Sequence, residues 1–371
     1  MKAPLTDVSP RACLASIARL AARAAAVALL AGGSLSAAAQ PVDAPSAAAE
    51  ETLLGRIEFP TSGAPEAQGL FILGVLALHS FWYEQARDYF LEAQSLDPRF
   101  GMARWGEAMS YDNAFLTEPN QAEYERLGES AVVRMNELDA AGQLVWNDRE
   151  QGYAEAVRRR FAPGYGVPDR RRDYAQAMEQ LSLRYPEDDE ITVFTALALM
   201  ALPGFDREQP LHVVTVAGRL EEVYERNREH PGALHYLIHV YDTQTFAAMG
   251  LRQARVYARI APASSHALHM PSHIFRHLGM WQEVAASNED SYRASVAWQE
   301  RTGRPLHMRD YHAMDWALDA YLRMGRIDQA QRIMEELDEI ETEIVRRGEE
   351  SDHFASAAET MRAYYASALS N

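Results

Sequence analysis

The chain has 371 residues, 47% of them hydrophobic and 24% charged, and a formal net charge of −17 at pH 7. Such a composition suits a folded chain with room for two or three domains or for one extended repeat array. Its acidity argues against nucleic acid as a partner, because phosphate contacts need clustered lysine and arginine.

Lys2, Arg11, Arg19 and Arg23 precede the apolar run AAAVALLAGGSL, and Ala37-Ala38-Ala39 follows as a small-residue cleavage site. A basic region, a short apolar core and an A-x-A site predict a secretory signal peptide over residues 1–39. The expectation is therefore export, periplasmic or secreted, with no membrane span left after cleavage. The apolar run is short for a bilayer, and an uncleaved anchor is the alternative. The single cysteine, Cys13, falls inside this segment. A cleaved chain would then hold no disulfide, thiolate nucleophile or sulfur-ligated metal. Residues 40–60, QPVDAPSAAAEETLLGRIEFP, read as a flexible Pro- and Ala-rich lead-in.

From residue 61 to 371 the apolar residues recur at i, i+3, i+4 and i+7, and no stretch keeps the alternation of a strand. The segment LGVLALHSFWYEQARDYFLEAQSLDP (73–98) carries Leu73-Gly74 in a first helix, Ala86 at a helix–helix contact, Phe90 and Ala93 in a second helix, and Asp97-Pro98 at its end. It resembles a tetratricopeptide repeat, in which small residues allow close helix approach and the proline stops the second helix. The pattern returns in RHLGMWQEVAASNEDSY (276–292) and AYLRMGRIDQAQRIMEEL (320–337), while ALHYLIHVYD and MARWGEAMSYDN read as first helices of further units. The connections in TEPNQAEYERLGES, APGYGVPDRRR and LPGFDREQPLH are longer than usual for such repeats. The fold expected is an all-α, tetratricopeptide-like solenoid of about six degenerate helical pairs. FASAAETMRAYYASALSN reads as a first helix with no partner after it.

A more specific resemblance rests on NREHPGALHYLIHVYD and SSHALHMPSHIFRHLGMWQEVAASN. These stretches resemble a group of bacterial and fungal tetratricopeptide-like proteins that carry H-P-G-A-L-H-x-x-I-H and then H-M-P-S-H-I. The likeness covers most of residues 65–365 and implies an architecture and a histidine motif, without a reaction. In the repeat architecture, positions 2, 5 and 9 of each first helix line the concave groove. Aligned on Gly279, His266, His269 and His273 take those positions; aligned on Gly325, His312, Asp315 and Asp319 do; and His235 and His239 fall at 5 and 9 of the preceding unit.

His235 to His269 and His239 to His273 are each 34 residues apart, the length of one such repeat. Each H-x-x-x-H pair puts two rings on one helical face, with Cβ atoms roughly 5–6 Å apart. Two pairs on adjacent helices could bring the imidazoles of His235, His239, His269 and His273 to one point, a donor set suited to zinc, copper or iron. His312 and Asp315 could complete or orient that set. The competing reading is structural, with the histidines bonded across the groove to Asp315, Tyr111 or backbone carbonyls. Pro271 has two readings as well. It either kinks a helix that runs through His269 and His273, or it opens a new helix and leaves His269 in a loop.

Trp105, Glu107 and Tyr111 in MARWGEAMSYDN form a second polar and aromatic patch that could face the groove. Packing accounts more simply for the two rings, and Glu107 reads either as an acid–base group or as a partner for Arg104. His79 and His277 read as structural, and His212, His230, His307 and His353 are given no role. No phosphate loop, dinucleotide fingerprint, nucleophile elbow or H-E-x-x-H motif occurs. Two functions stay open: a groove that binds a peptide, protein or small ligand, and a metalloprotein built on the same groove.

Overall fold

The structure is a computed structural model that describes residues 53–113, 115 and 121–370. The signal-peptide expectation for 1–39 lies outside the described residues. All regular structure among the described residues is helical. The helices are α1 (Pro65–His79), α2 (Tyr83–Leu96), α3 (Gly101–Met109), α4 (Gln121–Ala140), α5 (Asp148–Arg160), α6 (Val167–Arg184), α7 (Asp189–Met200) and α8 (Pro210–Arg226). They continue with α9 (Pro231–Tyr241), α10 (Ala247–Ile260), α11 (Ser265–His269), α12 (Pro271–His277), α13 (Trp281–Thr302), α14 (Tyr311–Arg323), α15 (Ile327–Arg347) and α16 (Asp352–Leu369).

Consecutive helices pack in pairs, α1 with α2 through α14 with α15, and α11 with α12 together act as one first helix against α13. This is a tetratricopeptide-like α-solenoid. The described residues form seven pairs where the sequence suggests about six, because α5 to α8 form two full pairs in a stretch without a clean repeat signature. All three presumed long connections are partly helix, since α4 already starts at Gln121, α6 at Val167 and α8 at Pro210.

Local chemistry explains the joints. A Cβ on Gly74 would lie 2.5 Å from the Phe90 ring, so the α1–α2 contact closes only over glycine. Asn147 caps α5: its side chain accepts from Glu150 N at 3.0 Å, and the Glu150 carboxylate accepts from Asn147 N at 3.0 Å. Asn147→Ala is expected to cost about 1 kcal/mol, read as a lower urea midpoint with an unchanged slope.

Residues 53–60 are not the flexible lead-in expected from composition. Leu54, Ile57 and Phe59 are buried. Arg56 N donates to Glu229 O at 3.1 Å, and Ala263 N donates to Leu53 O at 3.1 Å. Three apolar side chains in six residues give this segment enough surface to bury, and it straps the α8–α9 and α10–α11 turns together.

The strap and the first hairpin shape the region of the histidines. The turn from α1 to α2 carries Ser80, Phe81 and Trp82 to α9, α10 and α13. Tyr257 donates its hydroxyl proton to Ser80 Oγ at 3.1 Å, Trp298 Nε1 donates to Gln85 Oε1 at 2.9 Å, and the rings of Trp82 and Trp298 are 5.7 Å apart. The first repeat therefore covers the inner faces of the fifth and sixth instead of leaving an open groove beside them.

Candidate metal centre

Six histidines from α9, α11, α12 and α14 gather beneath that turn. They fall into two groups. One ring nitrogen each from His235, His239 and His266 lies within 4.8 Å of the others, and the same holds for His269, His273 and His312. The four histidines expected at one point are thus divided between two triads. Each pair of the sequence motif takes its third member from the next helix, His266 from α11 and His312 from α14. His266 is expected from the sequence only as a groove residue, whereas His312 is the residue expected to complete or orient the histidine set.

The break at Pro271 sets the second triad. Proline opens α12 and supplies no N–H to α11, but His269 stays helical within α11 and not in a loop. The rings of His269 and His273 meet edge to face at 87°, with centroids 4.9 Å apart.

Hydrogen-bond partners fix which ring nitrogens carry protons. His235 Nδ1 lies 2.6 Å from the carbonyl of His79, which can only accept, so Nδ1 is the donor. Asn288 Nδ2 donates to Val284 O at 2.8 Å, which turns Asn288 Oδ1 toward His269 Nδ1 at 2.6 Å as an acceptor. His273 Nδ1 donates to Asp242 Oδ2 at 3.0 Å. In all three rings Nε2 is left with its lone pair pointing inward. Those of His269 and His273 face each other at 3.0 Å, and His235 Nε2 faces His266 Nε2 at 3.1 Å. His239 Nε2 is buried with no hydrogen-bond partner.

Burial is the main electrostatic influence here. It pushes the His235 imidazolium down to about 3, and His239, His266 and His269 well below the ordinary histidine value, with neighbouring histidines adding to the effect. Neutral imidazole is the favoured form, the form in which histidine binds metal. Burial alone would push the Asp242 carboxyl up, but the hydrogen bond from His273 and the charge of Arg207 hold it at about 2. Asp242 Oδ1 also accepts from His277 Nε2 at 3.1 Å, which gives His277 a partner that the sequence did not suggest.

Aromatic side chains wall the site. Phe81 places its ring 4.4 Å from His235, 5.4 Å from His239 and 5.5 Å from His266. Its φ of 51° is the one positive value at a non-glycine among the described residues, a strained backbone held at a candidate site. Trp316 lies 4.6 Å from His273 and 4.9 Å from His269, under the guanidinium of Arg276. His312 is exposed and marks the solvent side of the second triad.

Several expected groove residues are engaged elsewhere. Trp105 is fully buried among Phe59, Tyr153 and Phe194, in the core. Glu107 is buried and bonded to Arg134 at 2.6 Å and Gln94 at 2.9 Å, so it is an ion-pair partner and not a free acid or base. Tyr111 lies under the guanidinium of Arg87. Asp319 is bound by Arg323 and the Tyr364 hydroxyl. Burial and the charge of Asp319 push the Asp315 carboxyl up, and no imidazole bonds to it.

A further cluster escaped the sequence reading. Glu190 takes His79 Nε2 at 2.9 Å on one oxygen and lies 3.0 Å from His230 Nε2 on the other, all three residues buried. His230 Nδ1 accepts from Ala233 N and caps α9, while His79 Nδ1 meets the Tyr236 hydroxyl at 3.1 Å. His79 has hydrogen-bond partners at both nitrogens, His230 Nε2 sits at ion-pair distance from Glu190 without a hydrogen bond, and the arrangement anchors the His79 carbonyl that orients His235. Its members stand 111 and 40 positions apart in the chain, so no local motif joins them.

No protein-family model matches the chain, and no curated protein matches its sequence. Among solved structures, the yeast Tom70 crystal structure aligns at 8% identity and a TM-score of 0.35, over 80% of this chain and 69% of that one. The human IFIT1 dimer with m7Gppp-AAAA aligns at 13% identity and 0.37, over 85% and 83%. Naa15/Naa10 bound to HypK-THB aligns at 14% identity and 0.23, over 81% and 64%. Likeness at this level carries no ligand or activity over to this chain. No described helix is long and apolar enough to cross a membrane.

Proposed function

We propose that this chain is a metal-binding helical-repeat protein whose histidine chamber holds a transition-metal ion. One observation carries the reading. His269 and His273 each spend Nδ1–H on a fixed acceptor, which leaves two Nε2 lone pairs opposed at 3.0 Å. Opposed lone pairs repel unless a cation lies between them, and burial disfavours protonation of His269. Tetrahedral ligands at 2.0–2.1 Å from a metal are roughly 3.3 Å apart, close to the spacing here. The carbonyl, amide and carboxylate behind His235, His269 and His273 are the usual outer partners of metal-bound imidazole. Zinc, copper and iron suit an all-imidazole set, and three protein ligands leave a position for water or a small ligand.

The same proposal includes export, supported by the basic N-terminus, the apolar run and Ala37-Ala38-Ala39. A peptide laid along the groove has less support, since Phe81 lies against three of the rings a peptide would need to reach. The test is elemental analysis of the untagged full chain beside its His269→Ala and His273→Ala variants. Near-stoichiometric metal in the parent, and its loss from variants that keep their helicity, is the expected result. A chain that takes up no zinc, copper or iron on incubation would rule the reading out.

A further inference from the structure

The two triads are not remote from each other. His266 and His269, on opposite sides of the division, have ring centroids 6.1 Å apart, and His239 and His273 are 6.4 Å apart. Within the first triad His239 and His266 are also 6.4 Å apart. The gap between the triads is thus no wider than the spread inside one. Nor are the triads built on a single helix. The members of each come from two successive first helices, so the two triads adjoin between α9, α11, α12 and α14.

Resting on the metal-binding reading above, we infer that the six histidines form one dinuclear centre, with an ion in each triad and a small oxygen-donor anion such as hydroxide bridging them. Metal pairs that share an oxygen ligand stand roughly 3.5–4 Å apart. Imidazole ligands bring no negative charge, so two divalent ions would bring four positive charges into the site with no anionic protein ligand between them. Asp242 is one residue removed, behind His273, and Asp315 bonds to none of the rings. Repulsion between neighbouring dications is strong in a buried site, and a bridging anion is the group that offsets it. Each ion has three protein ligands, which leaves each a position for that shared anion.

The test uses copper(II) as the probe, loaded into the full chain after chelator treatment, with copper per chain counted and the electron paramagnetic resonance signal integrated. Two coppers per chain with far fewer spins than ions is the expected result, since a bridged copper(II) pair couples its spins. His266→Ala and His312→Ala should each drop the count to one and restore about one spin per copper. His312 is exposed, so its replacement removes no core packing. One copper in the parent chain would overturn the inference and leave the metal-binding reading standing. Two coppers with full spin intensity, or a count of two that survives both variants, would overturn it as well. No bound copper would remove both.

Discussion

Replacing Asp242 by alanine lowers the affinity of the chain for a transition metal about 10- to 100-fold while its helix content stays the same. Asp242 follows α9 directly and touches no ring nitrogen that faces the chamber. It acts through His273, whose Nδ1–H it accepts at 3.0 Å, and it also holds His277 at 3.1 Å and Arg207 at 3.3 Å. Without the carboxylate the His273 ring is free to rotate or to shift its proton to Nε2, the nitrogen that must stay bare to bind. The loss corresponds to about 1.4–2.7 kcal/mol of binding energy. Asp242→Asn keeps one acceptor oxygen and is expected to lose less. Competition against a chromophoric chelator reads the affinities, and circular dichroism reads the fold. Equal affinity in the parent chain and the alanine variant would show that Asp242 does not orient a ligand.

The repeat class and the histidine pairs were legible because both depend on short spacings along the chain, within a helix or between neighbouring ones. Gly74 opposite Phe90, and His235–His239 and His269–His273 four residues apart, are local facts that survive folding. The division into two triads is a relation between helices. It depends on how α11 and α14 turn toward α9 and α12, and on the break at Pro271 that crosses the His269 and His273 rings at 87°. The acceptors Asn288 and Asp242 were equally hidden, since Asn288 lies on α13 with nothing in its sequence context to single it out. Phe81 reaches the first triad from more than 150 positions away in the chain. The patch around Trp105 and Glu107 stayed open between two readings for a related reason. A carboxylate flanked by apolar residues looks the same whether its helix face meets a groove or, as here, a core with Arg134 alongside. The Pro- and Ala-rich composition of residues 40–50 masks the apolar Leu54, Ile57 and Phe59 that follow it and are buried.

The metal-free chain is expected to lose stability steadily as the pH falls below about 6.5. Unfolded histidines bind a proton near that value. In the folded chain burial holds His235 down to about 3, lowers His79, and keeps His239, His266 and His269 well below their ordinary value. Between 6.5 and those lowered values the unfolded chain binds more protons than the folded one, so acid favours unfolding. Each such histidine removes up to about 1.4 kcal/mol per pH unit, and a total domain stability is only about 5–15 kcal/mol. A second loss follows at lower pH. Glu190 would be raised by burial, but His79 and His230 hold it at about 2, and Asp242 is held at about 2 as well. Both carboxylates stabilise the fold above their unfolded values near 4 and lose that contribution as the pH falls toward 2. Thermal unfolding of chelator-treated protein between pH 7.5 and 5 measures the first window. A midpoint that does not move there would mean that the imidazoles are hydrated and free to charge in the folded state, and the closed chamber beneath Phe81 would then be wrong. Repeating the series with bound metal separates proton from metal linkage. At 1,000 times its dissociation constant a ligand adds about 4 kcal/mol, so the loaded chain should unfold at higher temperature wherever the chamber can bind the ion.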